Sequence, residues 1–265
     1  MSESGAAPTD DRFLGEALAI LQPAEGYRAG LDAVLLAAAC GAHSGADACV
    51  LDAGAGVGVA GLCVARRVPE ARVTLVEREP DLAALARRNI DRNGLGDRVR
   101  VVEMDVSGGG AAVHRARTEG IEGIGGVLPG AFTHVIANPP YFVRGRGTSS
   151  PARLKAVSHQ LASDDLDAWF RFLATSAAAD GCVTMIHRAD ALGVLLEGLG
   201  RRFGALRVLP LQPREGVAAH RVIVQGRKGS RAPLTLLPGI ALHGEGNGFV
   251  PRIDAVLRSA QAFEW

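Results

Sequence analysis

Short apolar segments alternate with longer helix-like segments through the middle of the chain. The apolar segments are rich in Val, Leu and Ile, which is typical of strands that are buried on both faces of a sheet. Strands are predicted at residues 50–53, 72–76, 99–103, 133–137 and 181–187, and helices at 60–67, 80–93 and 164–179. This alternation predicts an α/β fold with a mostly parallel, doubly wound sheet.

The two ends of the chain depart from this alternation. Residues 1–12 are polar and acidic and are expected to form a disordered leader, which leaves residues 13–265 as a single domain. A short helix is expected within 13–23, and the Ala- and Leu-rich segment 31–40 predicts a buried helix. Further strand-like segments follow at 207–211, 220–225 and 234–237. Because no long helix separates the last two, the sheet is expected to finish with an antiparallel strand.

Composition and charge exclude several classes of protein. With 265 residues, of which 48% are hydrophobic, the chain can bury a substantial core, and no apolar run reaches the roughly 20 residues of a membrane span. The four cysteines form no C-x-x-C pair, which argues against a zinc site and fits a reduced, cytoplasmic setting. A net charge of +1 gives no global attraction to nucleic acid, so any RNA contact must come from a local patch.

One segment interrupts the regular spacing. Residues 107–130 contain eight glycines, too many for a confident helix. We expect an insertion on the surface without a role of its own, and a substrate lid is the alternative.

Residues 51–58 have the character of a ligand-binding turn between a strand and a helix. They read Leu-Asp-Ala-Gly-Ala-Gly-Val-Gly, and glycines allow a tight turn and a close approach of a ligand to the amides at the helix N-terminus. Several classes of nucleotide enzymes have such a turn. The NAD-binding pattern is G-x-G-x-x-G, whereas here Gly54, Gly56 and Gly58 alternate and Asp52 lies just upstream.

Acidic residues at the ends of successive predicted strands narrow the choice of ligand. Glu77 can accept hydrogen bonds from both ribose hydroxyls of an adenosine group. Asp105 can receive the adenine amino group while Met104 or Val106 covers the ring. Asp52 suits the cationic amino acid end of S-adenosylmethionine better than it suits a pyrophosphate. We therefore predict S-adenosylmethionine as the cofactor, at the carboxyl edge of the sheet.

The tetrapeptide Asn138-Pro139-Pro140-Tyr141 follows the predicted strand 133–137 at the same edge. A conjugated amino group is a poor nucleophile because its lone pair is delocalised. The Asn138 side-chain oxygen and the Pro139 carbonyl can each accept one of its hydrogens, and the prolines preorganise these acceptors. Tyr141 offers a face on which a planar substrate can stack. The alternative is a turn that merely ends a strand.

These motifs resemble those of class I amino-methyltransferases with an Asn-Pro-Pro-Tyr motif, and more narrowly the bacterial tRNA(Val) adenine-N6 methyltransferase family. Residues 22–36 correspond to that family's G-x-D-x-x-L-L motif, and the resemblance covers roughly residues 22–258. It implies a single methyltransferase domain with a Rossmann-like, seven-stranded sheet whose last strand is antiparallel.

The resemblance also implies roles for individual residues. S-adenosylmethionine would be bound by Asp52, Gly54, Gly56, Glu77, Asp105, Val106 and Asn138. Residues 138–141 would be catalytic. Asp32, with Tyr27 or Arg28, would close over the cofactor from the N-terminal side.

Basic residues after the tetrapeptide suggest where RNA could bind. They are Arg144, Arg146, Arg153 and Lys155, and phosphate contacts of this kind would position a tRNA strand beside the active site. A solvated basic loop is the alternative, and Arg227, Lys228 and Arg231 form a second small cluster. Trp169, His134 and His187 are interpreted as core residues.

Three functions are therefore weighed. Adenine-N6 methylation of tRNA is preferred, and glutamine-N5 methylation of a protein is the alternative. The third is a cofactor-binding fold that has lost catalysis, which the intact residues 138–141 argue against.

Overall fold

The computed structural model describes residues 7–26, 28–44, 47–108, 127, 129–140 and 166–263. An N-terminal hairpin is formed by β1 (Thr9–Phe13) and β2 (Leu18–Gln22). The strands of the large sheet are β3 (Cys49–Ala53), β4 (Arg72–Glu77), β5 (Val99–Glu103), β6 (Phe132–Ala137), β7 (Ala177–Arg188), β8 (Phe203–Gln212), β9 (Arg221–Lys228), β10 (Thr235–Leu236) and β11 (Ile240–Ala241). Their spatial order is β10-β8-β9-β7-β6-β3-β4-β5, and β11 pairs with β8.

Helices cover both faces of this sheet. They are α1 (Leu31–Ala39), α2 (Val59–Arg67), α3 (Pro80–Arg92), α4 (which includes residues 166–176), α5 (Leu192–Gly200) and α6 (Pro251–Ser259). One buried apolar cluster joins α1, α2, α3 and α6 to strand residues such as Val50 and Ile136. A second joins α4 and α5 to the opposite strand face, which carries Leu51 and Val135. The predicted doubly wound architecture is confirmed.

The direction of the strands confirms the expected seven-stranded core. Strands β3 to β7 run parallel to one another, and β9 is antiparallel to both β7 and β8. The segment predicted at 234–237 behaves differently, because β10 pairs with β8 in parallel. Since β9 already has a partner on each side, the returning chain can pair only with the open side of β8, whose direction it shares.

The N-terminal segment corrects two expectations. Residues 9–12 belong to β1 rather than to a disordered leader, and β2 replaces the helix expected within 13–23. Leu18 and Ile20 are fully buried, and two asparagine side chains, one in α3 and one directly after it, hydrogen-bond the backbone of β2. Asn89 bonds both the N–H and the C=O of Leu21, and Asn93 does the same for Ala19. This partner lies about seventy residues away in sequence, so local propensity could not reveal it.

One further boundary differs from the prediction, and most of the predicted glycine-rich insertion lies outside the described residues. The helix predicted at 164–179 is helical over 166–176, and β7 then begins at Ala177, four residues earlier than predicted. Within the glycine-rich segment, residues 109–126 and 128 lie outside the described residues. Among the described helices, none is long and apolar enough to cross a membrane.

Candidate active site

The register of the parallel strands assembles the candidate site at the carboxyl edge of the sheet. Ala53, the last residue of β3, pairs with Ala137 on one side and with Val76 on the other. The next residues on these three neighbouring strands are Gly54, Asn138 and Glu77. Because paired strands lie about 4.8 Å apart, the glycine turn stands between the proposed catalytic asparagine and the proposed ribose-binding carboxylate.

Three left-handed glycines shape the turn between β3 and α2. Gly54, Gly56 and Gly58 have φ values of 66°, 57° and 92°, a region that residues with a side chain rarely adopt. The Ala55 amide donates to the Val76 carbonyl at 2.9 Å, which ties the turn to β4. Helix α2 starts directly after Gly58, so its N-terminal amides face the same edge.

Asp52 connects the end of β3 to the first turn of α2. Its carboxylate accepts a 2.8 Å hydrogen bond from the Gly61 amide in the first turn of α2, and the residue is only 2% exposed. Burial raises the pKa of Asp52 to about 7, the Gly61 amide opposes that rise, and the nearby Glu77 carboxylate adds to it. The direct contact between Asp52 and the cofactor stays a prediction.

Glu77 connects the turn to the start of α3. One carboxylate oxygen accepts from the Gly56 amide at 2.7 Å, and the other accepts from the amides of Arg78 and Glu79 at 2.9 Å. A carboxylate has about four acceptor positions, and three are used here. Glu77 therefore holds the glycine turn in place, and its contact with the ribose hydroxyls of a ligand stays a prediction.

Asp105 and Val106 lie next along the edge, after β5. The Met104 amide donates to the Glu77 carbonyl at 3.0 Å, which brings this segment beside β4. Asp105 is exposed and accepts from the Ser107 amide at 2.8 Å. Hydrogen bonds from Ser107 lower the pKa of Asp105, so the carboxylate is charged at neutral pH. Val106 and Met104 are buried and form an apolar floor beside it.

The described part of the tetrapeptide stands at the end of β6. Asn138 is half-buried, Pro139 is buried and Pro140 is exposed. Tyr141, the predicted stacking residue, lies outside the described residues, as do Tyr27 and the proposed RNA-binding residues Arg144, Arg146, Arg153 and Lys155.

The remaining predicted residues, Arg28 and Asp32, have ion-pair partners within the fold. Arg28 pairs with Asp11 at 2.7 Å and donates to the Thr9 hydroxyl, so it belongs to the N-terminal hairpin. Asp32, in the first turn of α1, forms an ion pair with Arg221 at the start of β9 at 2.5 Å. That these residues close over the cofactor stays a prediction.

Trp169 has a position that its sequence pattern did not reveal. A Cβ atom added to Gly54 would lie 2.3 Å from Cη2 of Trp169 and 3.1 Å from Cζ3. The indole ring of Trp169, which lies in α4, therefore packs against the glycine turn. Trp169 is half-buried rather than fully buried in the core. The signal that could have suggested this contact is Gly54 itself, because a glycine permits close approach of a bulky group.

The donor set of this edge fits S-adenosylmethionine. Carboxylates at Glu77 and Asp105 match the ribose hydroxyls and the adenine amino group, and the N-terminal amides of α2 match an amino acid carboxylate. Among the described residues, no group of three His, Cys, Asp or Glu side chains could hold a metal ion.

Comparison with known proteins agrees with this geometry. Residues 33–157 match the model of the methyltransferase small domain. The chain is 29% identical to a tRNA1(Val) (adenine(37)-N6)-methyltransferase of Shewanella amazonensis, over 75% of this chain and 77% of that protein. It is 35% identical to a release factor glutamine methyltransferase of Chlorobaculum tepidum, over 39% of this chain and 31% of that protein.

A solved structure extends the similarity to nearly the whole chain. It is described as a predicted O-methyltransferase of Agrobacterium tumefaciens, with 30% identity and a TM-score of 0.70. The match covers 88% of this chain and 98% of that one. The glycine turn, the acidic residues beside it and these similarities lead to one conclusion: the chain belongs to the S-adenosylmethionine-dependent methyltransferases.

Proposed function

We propose that this methyltransferase acts on the exocyclic N6 amino group of an adenine in tRNA. The observation that carries the proposal is the register of β3 and β6, in which the paired residues Ala53 and Ala137 immediately precede Gly54 and Asn138. Any methyl donor that is bound on the glycine turn is therefore adjacent to an amide oxygen that can accept an N–H. That pairing suits an amino nitrogen, which has hydrogens to donate.

The chemistry follows from the acceptors at the end of β6. S-adenosylmethionine supplies an electrophilic methyl group on a sulfonium. The Asn138 side-chain oxygen and the Pro139 carbonyl each accept one hydrogen of the amino group, which turns its lone pair toward the methyl group. No strong base is required before transfer, since the methylated amine is acidic and loses its proton afterwards. Pro139 is buried, which keeps its carbonyl in a fixed position.

Other residues have supporting roles in this proposal. Gly54, Gly56, Glu77, Asp105 and Val106 hold the cofactor, and Asp52 keeps the turn in shape. Asp32 and Tyr27 or Arg28 close the site, and Tyr141 stacks on the adenine. The basic residues 144, 146, 153 and 155 contact tRNA. The protein would encounter its tRNA substrate in the cytoplasm.

The choice of adenine over glutamine is supported by the extent of the similarity. The relative named for tRNA adenine is matched over 77% of its length, and the relative named for glutamine over 31%. Both names describe methylation of nitrogen, for which an Asn-Pro acceptor pair is suited. Methylation of oxygen would leave the second acceptor without a hydrogen to bind.

Radiolabelled methyl transfer tests the proposal. Purified protein and labelled S-adenosylmethionine are incubated with total tRNA from cells that lack the gene, and nucleosides are then separated and identified by mass spectrometry. Label in N6-methyladenosine is expected, and the same nucleoside should be depleted in tRNA of the deletion strain. Label only in protein would favour glutamine, and label on a ribose or another oxygen would refute transfer to nitrogen.

A further inference from the structure

Two arginines stand opposite each other at the edge that carries Asn138. Ala137, the last residue of β6, pairs with Met185, but β7 continues to Arg188 and so projects beyond β6. Strand β9 begins at Arg221, which pairs directly with Arg188. Their Cβ atoms are therefore about 5 Å apart on one face of the sheet.

This arrangement is unfavourable for the fold alone. Like charges directly opposite on neighbouring strands destabilise a sheet. Each arginine has a carboxylate partner: Arg188 donates to Asp190 at 2.6 Å, and Arg221 pairs with Asp32 at 2.5 Å. An anion that binds between the two guanidinium groups would relieve their repulsion, and the guanidinium fork matches the geometry of phosphate oxygens.

The two ion pairs differ in how readily they can be exchanged. Asp32 is 13% exposed and Arg221 36%, so this pair is partly shielded and keeps Arg221 oriented. Arg188 and Asp190 are 51% and 61% exposed. An exposed ion pair of this kind contributes little to stability, so a phosphate can replace Asp190 beside Arg188 at little cost.

A surface cavity of about 420 Å³ opens at this point. Its lining is formed by Arg188, Ala189, Asp190, Ala219, His220 and Arg221. The Ala189 amide donates to the His220 carbonyl at 3.0 Å, which joins the two sides of the cavity. The lining combines the N–H donors of two arginines and a histidine with two small alanines, and among the described residues Asp190 is its only carboxylate.

We propose that this cavity binds the phosphodiester backbone of the RNA next to the target adenine, with Arg188 and Arg221 as the phosphate-contacting residues. The proposal rests on the proposed function, because it takes RNA as the substrate. It adds a phosphate site to the edge where the adenine must reach Asn138 after leaving its stack.

The second basic cluster of the sequence provides a contrast. Arg227 lies on the same strand as Arg221, but β9 runs antiparallel, so Arg227 stands at the opposite, amino edge of the sheet. There its Nε donates to the Asp180 carbonyl. One strand thus carries an arginine at each end, and only one of them lies beside the candidate site.

Direct measurement of tRNA binding tests the proposal with a matched control. Arg188→Gln, Arg221→Gln and Arg227→Gln are compared with wild type by fluorescence anisotropy of labelled tRNA over a salt series. Each of the first two changes should weaken binding about tenfold and lower the slope of log K against log salt by about one. Arg227→Gln should behave like wild type. The melting temperature and the affinity for S-adenosylhomocysteine, measured by calorimetry, should stay unchanged in Arg188→Gln, which leaves the pair of Asp32 and Arg221 intact.

The outcomes separate this site from the proposed function. Wild-type affinity and salt slope in Arg188→Gln and Arg221→Gln would overturn the phosphate site, as would an equal loss in Arg227→Gln. Absence of tRNA binding by the wild-type protein would overturn it as well. RNA binding that depends on Arg188 and Arg221, combined with no methyladenosine in the nucleoside assay, would uphold the site and refute adenine methylation.

Discussion

At the two edges of the sheet, side chains of opposite charge contact the ends of the helices. At the amino edge, basic side chains donate to the C-terminal carbonyls of helices; these side chains are Arg67, Arg98, Arg202 and Lys228. At the carboxyl edge, Asp52, Glu77 and Asp105 accept from backbone amides at helix starts. Parallel strand–helix units impose this polarity, because every helix N-terminus then meets the carboxyl edge.

The two edges differ in how far their polar groups are already hydrogen-bonded within the fold. Arg67 donates to the carbonyls of Ala37, Cys40 and Ala42, and Lys228 donates to two carbonyls at the end of α4. The carboxyl edge instead contains a glycine turn and a Glu77 carboxylate with an acceptor position to spare. We infer that the amino edge serves stability and the carboxyl edge serves binding and chemistry.

The strongest test of this division removes the proposed acceptor at the carboxyl edge. Asn138→Ala should reduce methyl transfer about a hundredfold or more, because a preorganised acceptor for the amino group is lost. Affinity for S-adenosylhomocysteine, measured by calorimetry, should stay near wild type. A variant that transfers methyl groups at the wild-type rate would show that Asn138 has another role.

A second change should affect binding of the cofactor. Glu77→Gln can place an amide N–H₂ against the Gly56 amide, where two donors would face each other. A lost hydrogen bond to a charged group is worth about 1.5–3 kcal/mol, so affinity for S-adenosylhomocysteine should fall about tenfold or more. Glu103→Gln is the matched control, since Glu103 pairs with Glu77 in the sheet but is exposed. Equal affinities in the two variants would contradict the role of Glu77.

A change at the amino edge should lower the stability of the protein and leave its affinity for the cofactor unchanged. Arg67→Met removes the donor to three carbonyls around the end of α1, and we expect the free energy of unfolding to fall by about 2–3 kcal/mol. Denaturant titration measures this loss, and calorimetry at a temperature where the variant is folded measures cofactor affinity. A marked loss of affinity in a folded variant would contradict the division between the edges.

The smallest expected effect concerns the pH dependence of stability. The pKa of Asp52 is raised to about 7 in the folded protein, so the folded state binds this proton more tightly than the unfolded state. The contribution of Asp52 to stability must therefore fall as pH rises toward 7. Asp52→Asn keeps an oxygen for the Gly61 amide and does not titrate. The free energy of unfolding of wild type relative to this variant should fall by about 2 kcal/mol between pH 5 and pH 7. A constant difference would contradict the raised pKa.

Much of the site could be predicted from sequence because it is built from local units. A strand, a glycine turn and a helix follow each other within residues 49–67, and the acidic residues sit at strand ends, where parallel pairing brings them to one edge. The same reasoning predicted Asn138 beside them. These inferences need only the order of elements and the side-chain types.

Contacts between distant segments could not be predicted in this way. The N-terminal hairpin depends on Asn89 of α3 and Asn93 directly after it, and the place of Trp169 depends on how α4 packs against Gly54. Neither contact leaves a local pattern in the sequence. A helical side chain that contacts a distant segment has the same sequence context as any other polar or apolar residue of a helix.

The chain by itself determined the fold class and the cofactor, and it predicted the candidate reacting edge, since these follow from short-range order and the chemistry of residue types. Only the tertiary structure decided which basic residues lie near that edge. Arg221 and Arg227 stand near the two ends of β9, and the antiparallel course of that strand decides that Arg221 is the one at the carboxyl edge. Strand direction depends on which neighbours are free to pair, and that is a property of the assembled sheet.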